Sequence, residues 1–167
     1  MCIRDSGTTV RENILFGTEY NEERYREVLY ACALEPDLDI LEHHDETEVG
    51  EKGTSLSGGQ KARIALARSF YSYARHILID DALSAVDAQT AEHLYHHCFH
   101  GPLAKDRTIV LVTHSVSLVL PTAVYAVVMD NGRISAEGKP MDLIQTGRIN
   151  STLQDPVPVA PCLLYTS

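Results

Sequence analysis

The sequence lacks any apolar run long enough to cross a bilayer. Its longest runs, Ile109–Val112 and Val124–Met129, fall far below the roughly 18 residues that a membrane helix needs. Residues 1–6 hold no apolar stretch of the length that a secretory signal requires, so a cytosolic setting is expected. Paired cysteine spacing is missing too. Cys2, Cys32, Cys98 and Cys162 show no CxxC pattern and read as scattered reduced thiols, not a zinc or disulfide framework. Positive charge is scarce: 14 Lys plus Arg against 23 Asp plus Glu leave a net charge of −9. That is the wrong sign for a surface that tracks nucleic acid by counterion release, so no nucleic-acid partner is expected. A local phosphate site stays open, because backbone amides can build one. Internal repeats and low-complexity segments are absent as well.

What is present amounts to one domain: 167 residues with 44% hydrophobic and 22% charged side chains, enough for a buried core. The two ends fit no pattern in the body. Met1-Cys2-Ile3-Arg4-Asp5-Ser6 and Cys162-Leu163-Leu164-Tyr165-Thr166-Ser167 resemble translated cloning adaptors. The natural sequence is then expected to run from near Gly7 to near Pro161, as a piece of a longer product.

Along the body, Asn21 with Glu22 and Glu23 signals a helix start, and Tyr25, Val28, Leu29 and Cys32 recur on one face. The pattern predicts a helix near 22–34, closed by Pro36. A polar loop over His43–Gly53 follows. Ser57 then opens a helix to about Tyr71 that is apolar on much of its circumference and so mostly buried. His76-Ile77-Leu78-Ile79 reads as a buried strand ending in Asp80 and Asp81. A helix from about Ala88 to Phe99, a strand over Thr108–Thr113, a short helix over Ser115–Leu120 stopped by Pro121, and a strand over Val124–Met129 come next. Asn131-Gly132 turns a hairpin, and Asp155–Pro161 is a Pro and Val tail. Strands alternating with helices predict an α/β layered fold, its sheet partly parallel with an antiparallel edge hairpin.

Leu56-Ser57-Gly58-Gly59-Gln60 sets a hydroxyl and two residues without side chains at a helix start, where free amides and the positive dipole end favour an anion. Taken alone, it reads first as an ordinary serine N-cap with a Gly-rich loop. Asp80, at the end of an apolar strand, sits where ligands bind in open α/β sheets and can hold a hydrated Mg²⁺; Asp81 can face an attacking water. The plain alternative is a pair of aspartates opening a turn. His114, directly after a strand, can contact a transferring phosphate or be a polar strand-end residue. Ser84-Ala85-Val86-Asp87 alone is a capping signal for the next helix.

In this order the residues resemble the ATP-binding cassette (ABC) family. The resemblance implies that Leu56, Ser57, Gly58, Gly59 and Gln60 form the signature motif and His76–Asp80 the Walker B strand. It also sets Asp81 at the catalytic carboxylate, Ser84 to Asp87 at the D-loop and His114 at the switch histidine. The nucleotide contacts it implies are Leu56 to Gln60 with Ser84 and Asp87, the cofactors ATP and Mg²⁺, the latter held through water by Asp80. Thr9–Gly17 and Thr47–Gly53 look like exporter segments that lie near the membrane-domain contacts in that family. Asp80–Asp87 resembles the first nucleotide-binding domain of the multidrug-resistance-associated (ABCC) subfamily, and Gly101-Pro102-Leu103 with Arg107-Thr108 is similar to its fungal members. The expected fold is thus a partial P-loop NTPase core with a helical signature subdomain and the Walker A half missing. Residues 1–8 form a boundary with the adaptor scar, 9–73 the helical subdomain, 74–150 the C-terminal part of the ATPase core and 151–167 a tail. Expected partners are a second nucleotide-binding domain and the transmembrane domains of one transporter, at the cytosolic face of a membrane.

Two departures qualify the resemblance. No G-x-x-x-x-G-K-[ST] phosphate loop occurs: Gly53 and Gly58 have the glycine spacing, but Gly59 and Gln60 follow where Lys and Ser or Thr are needed. The isolated chain is therefore expected to be inactive. Asp81 replaces the usual Glu, which shortens the carboxylate arm by one methylene, marks a degenerate half-site and leaves the signature loop to act in trans on the partner's ATP. A chromosome-maintenance or repair ATPase would need coiled-coil heptads before Ser57, and none are visible. A non-catalytic interaction module is the other alternative. His93, His96, His97 and His100 make two i,i+4 pairs, which read as a solvated helix face unless a third ligand completes a metal site.

Overall fold

The computed structural model describes residues 7–50 and 54–149, together with the backbone of 162–166. The N-terminal adaptor-like end with Cys2, the Asp155–Pro161 tail and Ser167 lie outside the described residues. The rest divides into two compact units: residues up to Ala74 with Ala85–Lys105, and Arg75–Ser84 with the residues from Asp106 onward.

In the first unit, β1 (Thr8–Thr9) leads into α1 (Val10–Leu15), then α2 (Glu22–Ala31), α3 (Glu35–Asp39), β2 (Glu48–Val49), α4 (Gly58–Tyr71) and α5 (Ala88–Leu94). Each main helix opens on a side-chain cap. Thr9 and Glu12 form a capping box on α1, Asn21 accepts from the Arg24 amide on α2, and Ser57 and Gln60 form a second capping box on α4. Helix α4 supplies the core of the unit, burying Ala62, Ile64, Ala65, Leu66, Ala67, Phe70 and Tyr71 against α1 and α2.

Arginines close the helix ends that capping boxes leave open. The last carbonyls of a helix have no partner within it, and here guanidinium groups take them. Arg24 on α2 donates to Phe70 O at 2.8 Å, Tyr71 O at 2.9 Å and Ser72 O at 3.0 Å, at the end of α4. Arg68 on α4 donates to Asn13 O in the last turn of α1 at 2.7 Å and to Asn13 Oδ1 at 2.9 Å. Arg63, one and a half turns earlier, donates to Ala33 O just beyond α2. The fully buried Tyr71 adds a fourth tie, donating to Glu19 O at 2.7 Å and accepting from the Asn21 amide at 2.8 Å.

Several expected boundaries move. The helix predicted over 22–34 stops at Ala31, because Ala33 turns left-handed at φ 51°. Pro36 does not close it; it sits in the first turn of α3, where its missing N–H costs nothing. The helix predicted to Phe99 ends at Leu94 and widens into a π-turn over Tyr95–Phe99. Gly101 follows because a β-carbon there would lie 2.0 Å from His97 O. The polar loop holds a 3₁₀ turn at His44–Glu46 and the strand β2, which pairs antiparallel with β1 through Thr8–Val49 and Thr9–Glu48.

The second unit is a five-stranded sheet in the order β3-β4-β7-β5-β6. It is made of β3 (His76–Asp80), β4 (Thr108–Thr113), β5 (Tyr125–Asp130), β6 (Arg133–Gly138) and β7 (Cys162–Thr166), with α6 (Val116–Val119) and α7 (Pro140–Gln145). The predicted parallel pairing is there, β3 on β4 in register from His76–Thr108 to Asp80–Val112. So is the edge hairpin β5–β6, turned by Asn131 and Gly132 at φ 48° and 74°. Pro121 does not stop the short helix but lies inside a 3₁₀ turn, Leu120–Thr122, that continues α6. No strand was expected at Cys162–Thr166. It runs antiparallel to both β4 and β5 and satisfies the ladder groups of each.

Lysine in place of Arg24 keeps the charge but loses the planar fork that reaches three carbonyls. Since a hydrogen bond from a charged donor contributes about 1.5–3 kcal/mol, Arg24→Lys is expected to lower unfolding stability by about 2 kcal/mol in urea titration, with the slope unchanged.

Candidate functional site

The loop Leu56–Gln60 is built by local chemistry. Ser57 is extended (φ −64°, ψ 162°); its Oγ accepts from the Gln60 amide at 3.2 Å, while Gln60 Oε1 accepts from the Ser57 amide at 2.8 Å. Leu56 is buried and anchors the loop, whereas Ser57 and Gly58 are exposed at the start of α4. The remaining hand of Gln60, Nε2, donates to Asp37 Oδ1 at 3.1 Å, and Asp37 pairs with Arg63 at 2.6 Å. The cap is therefore fixed from α3 as well as from its own helix. Asp37 escaped the sequence reading, since no periodicity or motif links residues 23 apart.

The two glycines differ. A β-carbon at Gly59 would lie 2.8 Å from the Ala85 carbonyl oxygen, while one at Gly58 would meet open space. Gly59 thus lets the loop lie directly on the backbone of the Ser84–Asp87 segment. Asp87 ends that segment as the N-cap of α5, accepting from the Thr90 amide at 3.0 Å and the Thr90 hydroxyl at 2.7 Å. The Thr90 hydrogen bonds hold the Asp87 carboxyl below its ordinary range.

In the second unit, Asp80 is the exposed last residue of β3, and His114 is exposed directly after β4. Asp81 turns left-handed at φ 46°, a conformation that aspartate visits more readily than most residues. Its amide extends the ladder to Val112 O at 2.8 Å, and its carbonyl accepts from the Ser84 hydroxyl at 2.8 Å. Its Oδ1 is buried and finds no hydrogen-bond partner among the described residues. A buried acceptor without a donor is costly. Two carboxylates at a strand end, one with an unsatisfied oxygen, form an all-oxygen anionic set suited to a hydrated divalent cation or a polarised water.

Thr9–Gly17 and the start of Thr47–Gly53, read separately in the sequence, meet through the β1–β2 pairing and the Val10 amide, which donates to Thr47 O at 3.1 Å; residues 51–53 lie outside the described set. Arg11 ties the same region to Asp45 at 2.8 Å and to Glu46. Beside it a cavity of about 350 Å³ is lined by Thr8, Glu12, Asn13, Phe16 and Gly17, and Phe16 is 56% exposed.

The histidines pack against tyrosines, mostly edge-on. His93 and His97 lie with ring centroids 4.3 Å apart against Tyr30, and His96 and His100 flank Tyr95. Among the described residues no group of three or more His, Cys, Asp or Glu is placed to hold a metal ion. No helix among them is long and apolar enough to cross a membrane.

The profile of the ABC transporter family matches residues 4–84. ABC transporter 7 of Pyricularia oryzae is 51% identical over 144 residues, 86% of this chain and 9% of that protein. The ATP-dependent bile acid permease of Saccharomyces cerevisiae is 51% identical over 139 residues, 83% of this chain and 8% of its own length. The pleiotropic ABC efflux transporter of multiple drugs YBT1 of Candida glabrata is 48% identical over 139 residues, again 83% and 8%. These relatives define the class: the chain carries ABC transporter nucleotide-binding-domain sequence and is homologous to fungal ABC transporters over most of its length. That family has the P-loop NTPase α/β fold, and the mixed helical and sheet units are consistent with it. The chain spans less than a tenth of these relatives.

The glycine geometry separates two adjacent substitutions. Gly59→Ala drives a methyl group into a backbone carbonyl and is expected to lower stability by about 1–3 kcal/mol, whereas Gly58→Ala is expected to be neutral or slightly stabilising because alanine is the better helix former. Thermal melts of the two variants side by side check the difference; equal melting points would overturn it.

Proposed function

We propose that this chain is part of the nucleotide-binding domain of an ABC exporter of the ABCC type, its first cassette, which couples ATP binding and hydrolysis to transport across a membrane. The observation that carries the reading is the Leu56–Gln60 loop, rigidly capped at the head of α4 and seated through Gly59 on the backbone of the Ser84–Asp87 segment. Its exposed Ser57 and Gly58 offer a hydroxyl and free amides to an anion from outside the loop. In this reading Ser57, Gly58, Gly59 and Gln60 act in trans on ATP held by the partner cassette, with Ser84 and Asp87 as further nucleotide contacts. The name of one relative, an efflux transporter of multiple drugs, supports export as the direction.

In the same reading, Asp80 holds Mg²⁺ through water, and His114 contacts the transferring phosphate as the switch histidine. Asp81 occupies the position of the catalytic carboxylate. Its shorter arm and its left-handed backbone support a weakened half-site, since a general base displaced by about an ångström can cost 10²-fold. The surface around Phe16 and Gly17, with its cavity and the clasp of Arg11 on Asp45, faces the transmembrane domains at the cytosolic side.

Two substitutions in the full-length transporter test these assignments. Ser57→Arg is expected to abolish transport and ATPase activity together, and unchanged turnover would sink the trans reading. Asp81→Glu is expected to raise single-site hydrolysis by about 10-fold or more; a fall or no change in single-turnover rate would show that the arm length is not what weakens the site.

A further inference from the structure

Two cysteines far apart in sequence meet in the interior of the first unit. Cys32, directly after the last residue of α2, and Cys98, in the Tyr95–Phe99 π-turn, place their sulfurs 3.4 Å apart at a sequence separation of 66. Both side chains are fully buried. The Cys98 thiol donates to Ala31 O at 3.0 Å, so its sulfur is held against the end of α2 by a second contact. Neither residue belongs to the loops assigned to nucleotide, and both are free thiols.

We propose that Cys32 and Cys98 are a redox-sensitive dithiol that closes reversibly into a disulfide, cross-linking α2 to the π-turn. The sulfurs need to approach by little more than an ångström to reach the bonding distance of about 2.05 Å, and both lie outside regular α-helix, where the backbone can supply that movement. Cys32 sits where the chain leaves α2 for the left-handed Ala33. Cys98 sits in a wide turn of a kind that is rare and recurs at functional positions.

The chemistry balances with a small disulfide such as oxidised glutathione as the oxidant. One thiolate attacks it and forms a mixed disulfide while the first glutathione thiolate leaves. The second cysteine then attacks that mixed disulfide, and the second glutathione leaves. Two S–H bonds are lost, one S–S bond is made, and the oxidant leaves as two thiols that carry the two protons. Burial pushes the Cys98 thiol up, with Cys32 adding to the effect, so attack waits on local opening of the turn. Closure is therefore slow and responds to the prevailing thiol–disulfide balance, as suits a cell interior where disulfides are transient.

The crosslink would act on the signature helix without touching it. Ala33, next to Cys32, presents the carbonyl that Arg63 of α4 takes, and Tyr30, a turn earlier, packs edge-on against His93 and His97. Tying Cys32 to Cys98 restrains both ends of that chain of contacts. The inference does not depend on the proposed nucleotide roles and holds or falls on thiol chemistry alone.

The test uses the full chain carrying Cys2→Ser and Cys162→Ser, so that only this pair reacts. It is incubated to equilibrium in oxidised and reduced glutathione over a range of ratios, then acid-quenched, alkylated and mapped by mass spectrometry. The expected product lacks two hydrogen masses, links the Cys32 and Cys98 peptides and melts about 5 °C or more higher, because closing a long loop restricts the unfolded chain. Adding Cys32→Ala should stop the reaction at a single glutathione adduct on Cys98. Two unmodified thiols at equilibrium, separate glutathione adducts on both cysteines, or a linkage between chains would each overturn the proposal.

Discussion

Guanidinium groups bonded to helix-end carbonyls are the interactions on which the first unit depends. Arg24, Arg63 and Arg68 each leave one helix to take backbone oxygens at the end of another, and together they join α1, α2 and α4. Every helix end exposes carbonyls that must find donors, and arginine offers several in one plane together with a charge that suits the negative end of the helix dipole. Apolar packing alone leaves α4 free to slide along its buried stripe. Three charged hydrogen-bond sets fix its axial position, and with it the height of the Leu56–Gln60 loop at its other end.

That loop is held by a second, smaller constraint: the absence of a side chain at Gly59. The carbonyl of Ala85 occupies the space a β-carbon would need, so the loop and the segment that starts α5 share one contact surface. Gln60 extends the same fixation sideways, through Asp37 to Arg63. Ser57 and Gly58 stay exposed at the head of this doubly fixed helix. In the second unit the strand end shows the opposite condition. Asp81 turns left-handed and, among the described residues, its buried oxygen has no donor.

Much of this was legible from local signals. The helix start at Ser57, the parallel β3–β4 pair and the Asn131-Gly132 turn each encode their structure within a few residues and formed where their patterns predicted, although β3 is not buried throughout as expected: its residues alternate, and Leu78 is 78% exposed. The misplaced boundaries share a different cause. Pro36 and Pro121 were read as stops although proline is equally at home in a first turn. The π-turn at Tyr95–Phe99 also breaks no local rule, and its pairing of Cys98 with Cys32 spans 66 residues.

By itself the sequence determined the elements whose energetics are short-ranged: capped helices, apolar strands, the hairpin turn and the order of motifs that marks the ABC family. Only the tertiary structure decided which orphan carbonyl each arginine takes, that Gly59 and not Gly58 is sterically required, that Thr8–Thr9 finds Glu48–Val49, and that two buried thiols meet. The physical reason is the same in each case. A capping or turn preference is settled by backbone atoms a few bonds away, whereas a carbonyl, a ladder edge or a sulfur is satisfied by whichever partner the packed core brings to within hydrogen-bonding distance, and sequence separation carries no record of that choice.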